Sequence, residues 1–176
     1  MPLLKNNTLI SDIWIHAGAD DQLPEAGDVV VPFARLLADW GNLSQRSGKI
    51  GITLSNADRA EALGPFLPKL SLIILPFPAF NDGRAYSIAR QIREFGYRGE
   101  LRATGNVLPD QLQFMLQVGF DAFDIGERFP LELWQQASKQ MSLAYQRGLF
   151  RRNEEAEVWT ERHTDAEPWL EQPHAG

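Results

Sequence analysis

Asp82, Arg84, Glu100, Arg102 and Asn106 crowd into one stretch, FNDGRAYSIARQIREFGYRGELRATGNVLPDQL, running from Phe80 to Leu112. In NDGR, Asn81 or Asp82 can take up free amides at a helix start, and Gly83 permits a tight turn. Arg84 then stands at the positive end of the helix dipole, where a cation is mildly disfavoured unless an anion shares the place. Backbone amides and a guanidinium both bind oxyanions. In ELRATG, strand geometry points Glu100, Arg102 and Thr104 to one face, and Leu101 and Ala103 to the other. Two charges are costly to bury alone. This strand therefore has one wet face, pairs its charges, or binds something. The plainer reading is that these groups only cap and solubilise. The residues suggest a place and a ligand charge, and no reaction.

Other chemistries find less support. The chain has 176 residues and no cysteine, which removes disulfides, thiolate nucleophiles and Cys-ligated metals. His16, His163 and His174 lack metal-ligand spacing. GKIGIT lacks a phosphate-loop pattern, GRAYSIA lacks a nucleophile elbow, and no G-x-G-x-x-G follows any strand. The expectation is no cofactor and no metal. A net charge of −6 argues against a nucleic-acid partner. The apolar run LSLIILPFPAF is too short for a bilayer and carries Pro76 and Pro78, so no membrane partner is expected. The first residues lack a signal-peptide pattern, and the absence of cysteine fits a cytoplasmic setting.

Elements that would position the polar stretch follow from periodicity. DVVVPF, KIGITL, LSLIILPF, ELRATG and DAFDIG read as strands, with cores at Val29–Val31, Ile50–Leu54, Leu72–Leu75, Leu101–Thr104 and Ala122–Ile125. FARLLADWGNL and NADRAEAL read as helices. From Arg84 to Phe95, Ala85, Ile88, Ala89 and Ile92 make one apolar stripe with Arg90, Arg93 and Glu94 away from it. Leu112, Met115, Leu116 and Gly119 repeat the spacing, and Pro109 suits a first helical position. PLELWQQASKQMSLAY puts Trp134, Ala137 and Met141 on one side. Phe114, Phe120, Phe123, Phe129 and Trp134 read as core.

Strands alternating with helices predict an α/β fold, a mainly parallel sheet of about five strands flanked by helices. The choices are an open doubly wound sheet, which needs no missing strands explained, or an incomplete TIM-like barrel. Residues 1–150 form the expected single domain, with a short strand or hairpin in 1–27 around Ile13 to His16. Residues 151–176 read as an acidic mobile tail, with Trp159 and Trp169 as candidates for docking on this domain or a partner.

The combination DGR-YSIA-QIRE-YRGELRA-G-VL-DQL, followed by GFDAF, resembles bacterial domain-of-unknown-function family 934, sometimes labelled an oxidoreductase. The likeness runs from about Asp28 to Phe123. It carries over Asp82, Gly83, Arg84, Ser87, Glu100, Arg102, Gly105, Asp110 and Gln111 as the family motif. The family usually has Asp where Asn106 stands, Arg where Pro109 stands, and Arg-Cys where Gln117-Val118 stand. The candidate ligand-binding set is thus Asp82, Gly83, Arg84, Glu100, Arg102, Gly105, Asn106 and Gln111. Members are commonly encoded beside assimilatory sulfite reductase, which implies an association with sulfite reduction during cysteine synthesis. The leading expectation is a non-catalytic accessory that contacts the sulfite reductase or its electron donor. The alternative is a small enzyme or binding protein holding an oxyanion or phosphorylated metabolite at the DGR and GELRATGN rim. A third reading is a scaffold that only forms homo-oligomers.

Overall fold

A computed structural model describes residues 2–139. Strands β1 (Leu3–Lys5), β2 (Thr8–Ile10), β3 (Ile15–His16), β4 (Val29–Pro32), β5 (Ile50–Thr53), β6 (Leu70–Phe77), β7 (Glu100–Gly105) and β8 (Ala122–Asp124) form one sheet. Helices α1 (Phe33–Ala38), α2 (Trp40–Leu43), α3 (Arg84–Glu94), α4 (Leu112–Val118) and α5 (Leu131–Lys139) accompany it. The sheet order is β2-β1-β8-β7-β6-β5-β4-β3. β3 through β8 are parallel, whereas β1 runs antiparallel to both β2 and β8.

All five expected strands are present, and the sheet is mostly parallel, but it has eight strands. The expectation of an open doubly wound sheet is corrected by the strand order. From β3 to β8 it advances in one direction with no reversal, so right-handed crossovers place every connection on the same face. Accordingly Leu36, Leu43, Ile88, Ile92, Met115 and Trp134 share one core with Ile52, Ile73, Leu75, Leu101 and Phe123. Leu72, Ile74 and Val30 point to the opposite face, where they form a second cluster under Trp14.

Chain connectivity explains why the sheet curls into a half-barrel. β2 and β3 sit at opposite edges, yet only residues 11–14 join them. Laid flat, the edges would lie roughly 34 Å apart at about 4.8 Å per strand. A four-residue link reaches about 17 Å at full extension. The edges must therefore bend toward each other, and the link becomes a strap over the inner face.

Several local expectations change. The short strand expected around Ile13 to His16 is present as β3, whereas the hairpin lies earlier, at β1–β2, where Asn6 and Asn7 take left-handed φ values of 49° and 62°. The Asn-Asn pair between LLK and TLI is the signal that would have found it. NADRAEAL yields only a short 3₁₀ turn, Ala60–Leu63. Gly64, which precedes Pro65, keeps helical backbone at φ −42° and ψ −52°. FARLLADWGNL divides into α1 and α2 at Asp39, whose φ of −120° leaves the helical range. Pro109 opens a 3₁₀ turn, Pro109–Gln111, that leads into α4. Phe120, Phe123 and Trp134 are core, Phe129 is partly buried, and Phe114 is exposed. Arg93, assigned to the wet side of α3, is buried. Met141, Trp159, Trp169 and the rest of the expected tail lie outside the described residues. Within those residues, no helix is long and apolar enough to cross a membrane.

Candidate functional site

The carboxyl ends of β5, β6 and β7 form a rim, because adjacent parallel strands end on the same side. The loop after β6 carries Pro78–Gly83, and its neighbours grip it from both sides. Asn106, after β7, donates its backbone amide to Phe77 O at 2.8 Å and its Nδ2 to Pro78 O at 2.6 Å. Gln111 Nε2 donates to Phe80 O at 2.8 Å. From the loop after β5, Asn56 Nδ2 donates to Asp82 Oδ2 at 2.7 Å. An aspartate at position 106, as the resemblance gives for the family, has no amide N–H to offer Pro78.

Asp82 is the hub of the loop. Its Oδ1 accepts the Arg84 amide at 3.2 Å and Arg84 Nε at 3.0 Å, and its Oδ2 accepts Arg84 Nη2 at 2.7 Å. The Arg84 side chain, together with its amide and Asn56, holds the Asp82 carboxyl well below the usual carboxylate range. The guanidinium of this pair is solvent-washed, although the Asp82 side chain is only 13% exposed, so the pair adds little stability; what it does is fix the direction of the guanidinium. Gly83 adopts φ −79°, and nothing lies within 4 Å of where a Cβ would sit, so the turn does not require glycine there. Gly105 does require it. Its φ is +90°, and a Cβ would meet Phe77 O at 2.6 Å.

Beside this loop the rim displays aromatic rings. Tyr86, in the first turn of α3, lies edge-on to buried Phe77 at 5.1 Å and tilted against Phe114 of α4 at 4.9 Å. Phe80 is 58% exposed and Phe114 52%. Burial, and then the charge of Asp110, pushes the Tyr86 phenol pKa up. Asp82, Gly83, Arg84, Gly105, Asn106 and Gln111 thus gather at the rim, with Asp110 beside them. Sequence reasoning missed Phe80 and Tyr86 as surface groups, although both sit in the motif itself.

Glu100 and Arg102 join a different arrangement, on the inner face under the strap. Arg102 is 3% exposed. It donates Nε and Nη2 to Glu100 Oε1 at 3.0 and 2.8 Å, and Nη1 to Asp12 Oδ2 at 2.7 Å. Lys5 Nζ meets Glu100 Oε2 at 2.6 Å, and His16 Nε2 meets Asp12 Oδ2 at 2.9 Å. The chain Lys5–Glu100–Arg102–Asp12–His16 alternates donors and carboxylates from β1 to β3. Of the options open to a polar central strand, pairing is the one adopted.

Burial pulls the Asp12 carboxyl upward, but bonds from His16, the Trp14 amide and Arg102 together hold it below its ordinary value of 3.8. A carboxyl lowered by folding stabilises the native state fully above its unfolded pKa, and that contribution is lost as pH falls through the native value. The difference in urea midpoint between wild type and Asp12→Asn should therefore hold from neutral pH to about pH 5 and shrink below about pH 4. A difference that persists unchanged to about pH 2 would show that the carboxylate is not what secures the strap.

Among the described residues, no group of three or more His, Asp or Glu is placed to hold a metal ion. Residues 51–155 match the family model described as "Bacterial protein of unknown function (DUF934)". No curated protein and no solved structure matches the chain.

Proposed function

The chain belongs to the DUF934 family, and on that premise we propose that it is a non-catalytic accessory of assimilatory sulfite reduction, contacting the sulfite reductase or its electron donor through the rim. One observation carries this reading: Phe80 of the rim loop and Phe114 of α4, the latter against Tyr86, are both exposed, with Asp110 close enough to act on the Tyr86 phenol. Aromatic residues and arginine bordered by charges are the composition of protein contact surfaces and of their energetic centres. Arg102, the second cation that an oxyanion site would use, is already taken by Glu100 and Asp12. The association with sulfite reduction comes from the sequence resemblance.

The test is a pull-down from cells grown on sulfate, comparing wild type with Phe80→Ala/Phe114→Ala. The variant should melt like the wild type, since exposed positions typically change stability within about ±0.5 kcal/mol. It should lose the reductase or its donor from the eluate and grow poorly on sulfate as sole sulfur source. Full growth and unchanged recovery of the partner by a folded double variant would overturn the proposal.

A further inference from the structure

A second place, at the opposite end of the strands, has the makings of a ligand site. A cavity of about 690 Å³ opens where the chain enters β7 and β8. On its apolar side Leu116 is part-exposed, with Leu4, Leu112, Phe120 and Phe123 almost fully buried behind it. The β1–β2 turn contributes Lys5, Asn6 and Asn7, and the segment leading into β7 contributes Tyr97, Arg98 and Glu100. The volume falls within the range of roughly 300–1,000 Å³ usual for small-molecule sites, which also combine apolar walls with a few polar groups.

Arg93 organises this end. Its guanidinium donates to Gly119 O, Tyr97 O, Gly99 O and the Asp121 carboxylate, so it fixes both loops that form the cavity walls. The remaining charges are unevenly matched. Lys5 is paired with Glu100, and Arg93 with Asp121. Arg98 is exposed, and among the described residues it has no hydrogen-bond or ion-pair partner. The cavity therefore has one cation in excess, in a chain whose net charge is −6. An unmatched guanidinium beside an apolar hollow is complementary to an acid group carried on an apolar body.

The geometry points to a binding site here for a small organic monoanion, with its apolar body against Leu116 and its acid group at Arg98. This site is separate from the aromatic rim and does not depend on the proposed accessory role.

Titration of the full chain, followed by amide NMR, tests it with three probes: hexanoate, acetate and hexylammonium. Hexanoate should shift the Gly99 and Gly119 signals saturably. Acetate, which lacks the apolar body, should bind at least about tenfold more weakly, and hexylammonium should leave both signals in place. Arg98→Glu, an exposed change that should fold normally, should weaken hexanoate by roughly tenfold or more, the scale of one charged hydrogen bond. An equal response to hexanoate and hexylammonium, an equal response to hexanoate and acetate, or undiminished binding by Arg98→Glu would each overturn the assignment. So would the absence of any saturable shift with hexanoate.

Discussion

Arg102→Ala is expected to lower the stability of the fold by about 3–5 kcal/mol, the usual scale for removing one partner of a buried ion pair. The guanidinium is almost wholly inaccessible and joins Glu100 of its own strand to Asp12 of the strap. Alanine would leave two carboxylates facing each other across a water-poor gap, and the strap would lose its polar anchor at the centre of the inner face. Trp14, resting on Val30, Leu72 and Ile74, would then hold the strap alone. Urea unfolding gives the magnitude. The triple change Arg102→Met, Glu100→Gln and Asp12→Asn should recover much of the loss, because a buried ion pair replaced as a unit by neutral groups is often close to neutral. A loss under about 1 kcal/mol for Arg102→Ala would show that the network contributes no more than a surface pair. The same result bears on function. Poor growth of an Arg102→Ala strain reports a damaged fold, whereas Arg84→Ala alters a side chain that is 64% exposed and reports the rim.

Arg93→Ala should be comparably damaging, on the order of 3–5 kcal/mol, because it strips the partner from a carboxylate and three carbonyls at once. Asp121 would keep the Leu101 amide at 2.9 Å but lose its cation. The Gly119, Tyr97 and Gly99 carbonyls would each lose their guanidinium donor. Arg93→Lys should recover only part of the loss, since a single ammonium cannot reproduce a planar fork serving four acceptors. Hydrogen exchange should localise the effect, with faster exchange at 97–101 and 119–121 than in β5. Uniform acceleration across the sheet, or a variant as stable as wild type, would remove Arg93 from the role of joining α3 to β7 and β8.

The contrast between Arg84 and Arg102 shows what a sequence can tell about a candidate site. Both residues belong to one motif, and both have an acidic neighbour two positions earlier. In Arg84 the pair lies on an exposed turn, where the guanidinium is anchored to Asp82 and still washed by solvent. In Arg102 the pair lies on a strand whose inner face is covered by residues 11–14, about ninety positions away in the chain. No local pattern distinguishes them, because the covering segment is set by sheet closure. Arg93 repeats the lesson. Its helical position borders the apolar stripe, but its burial depends on four acceptors, Tyr97 and Gly99 in the segment leading into β7 and Gly119 and Asp121 in the loop before β8.

Legible along the chain was whatever depends on near neighbours: the five parallel strands, the stripe of α3, the helical start after Pro109, and the meeting of the loop after β6 with the Gly105–Asn106 loop. These follow from period-2 and period-3.6 burial and from the rule that consecutive βα units lie side by side. The need for glycine at 105 rather than 83 came only with the structure. The tertiary structure alone decided the three further strands, the one-sided layering of helices and the curl imposed by a four-residue strap. It also separated Glu100 and Arg102 from Asp82 and Arg84. The physical reason is that the length of a connection matters only once the strands it joins have been assigned to opposite edges, and a charge is paired or free only once the distant segment that covers it is in place.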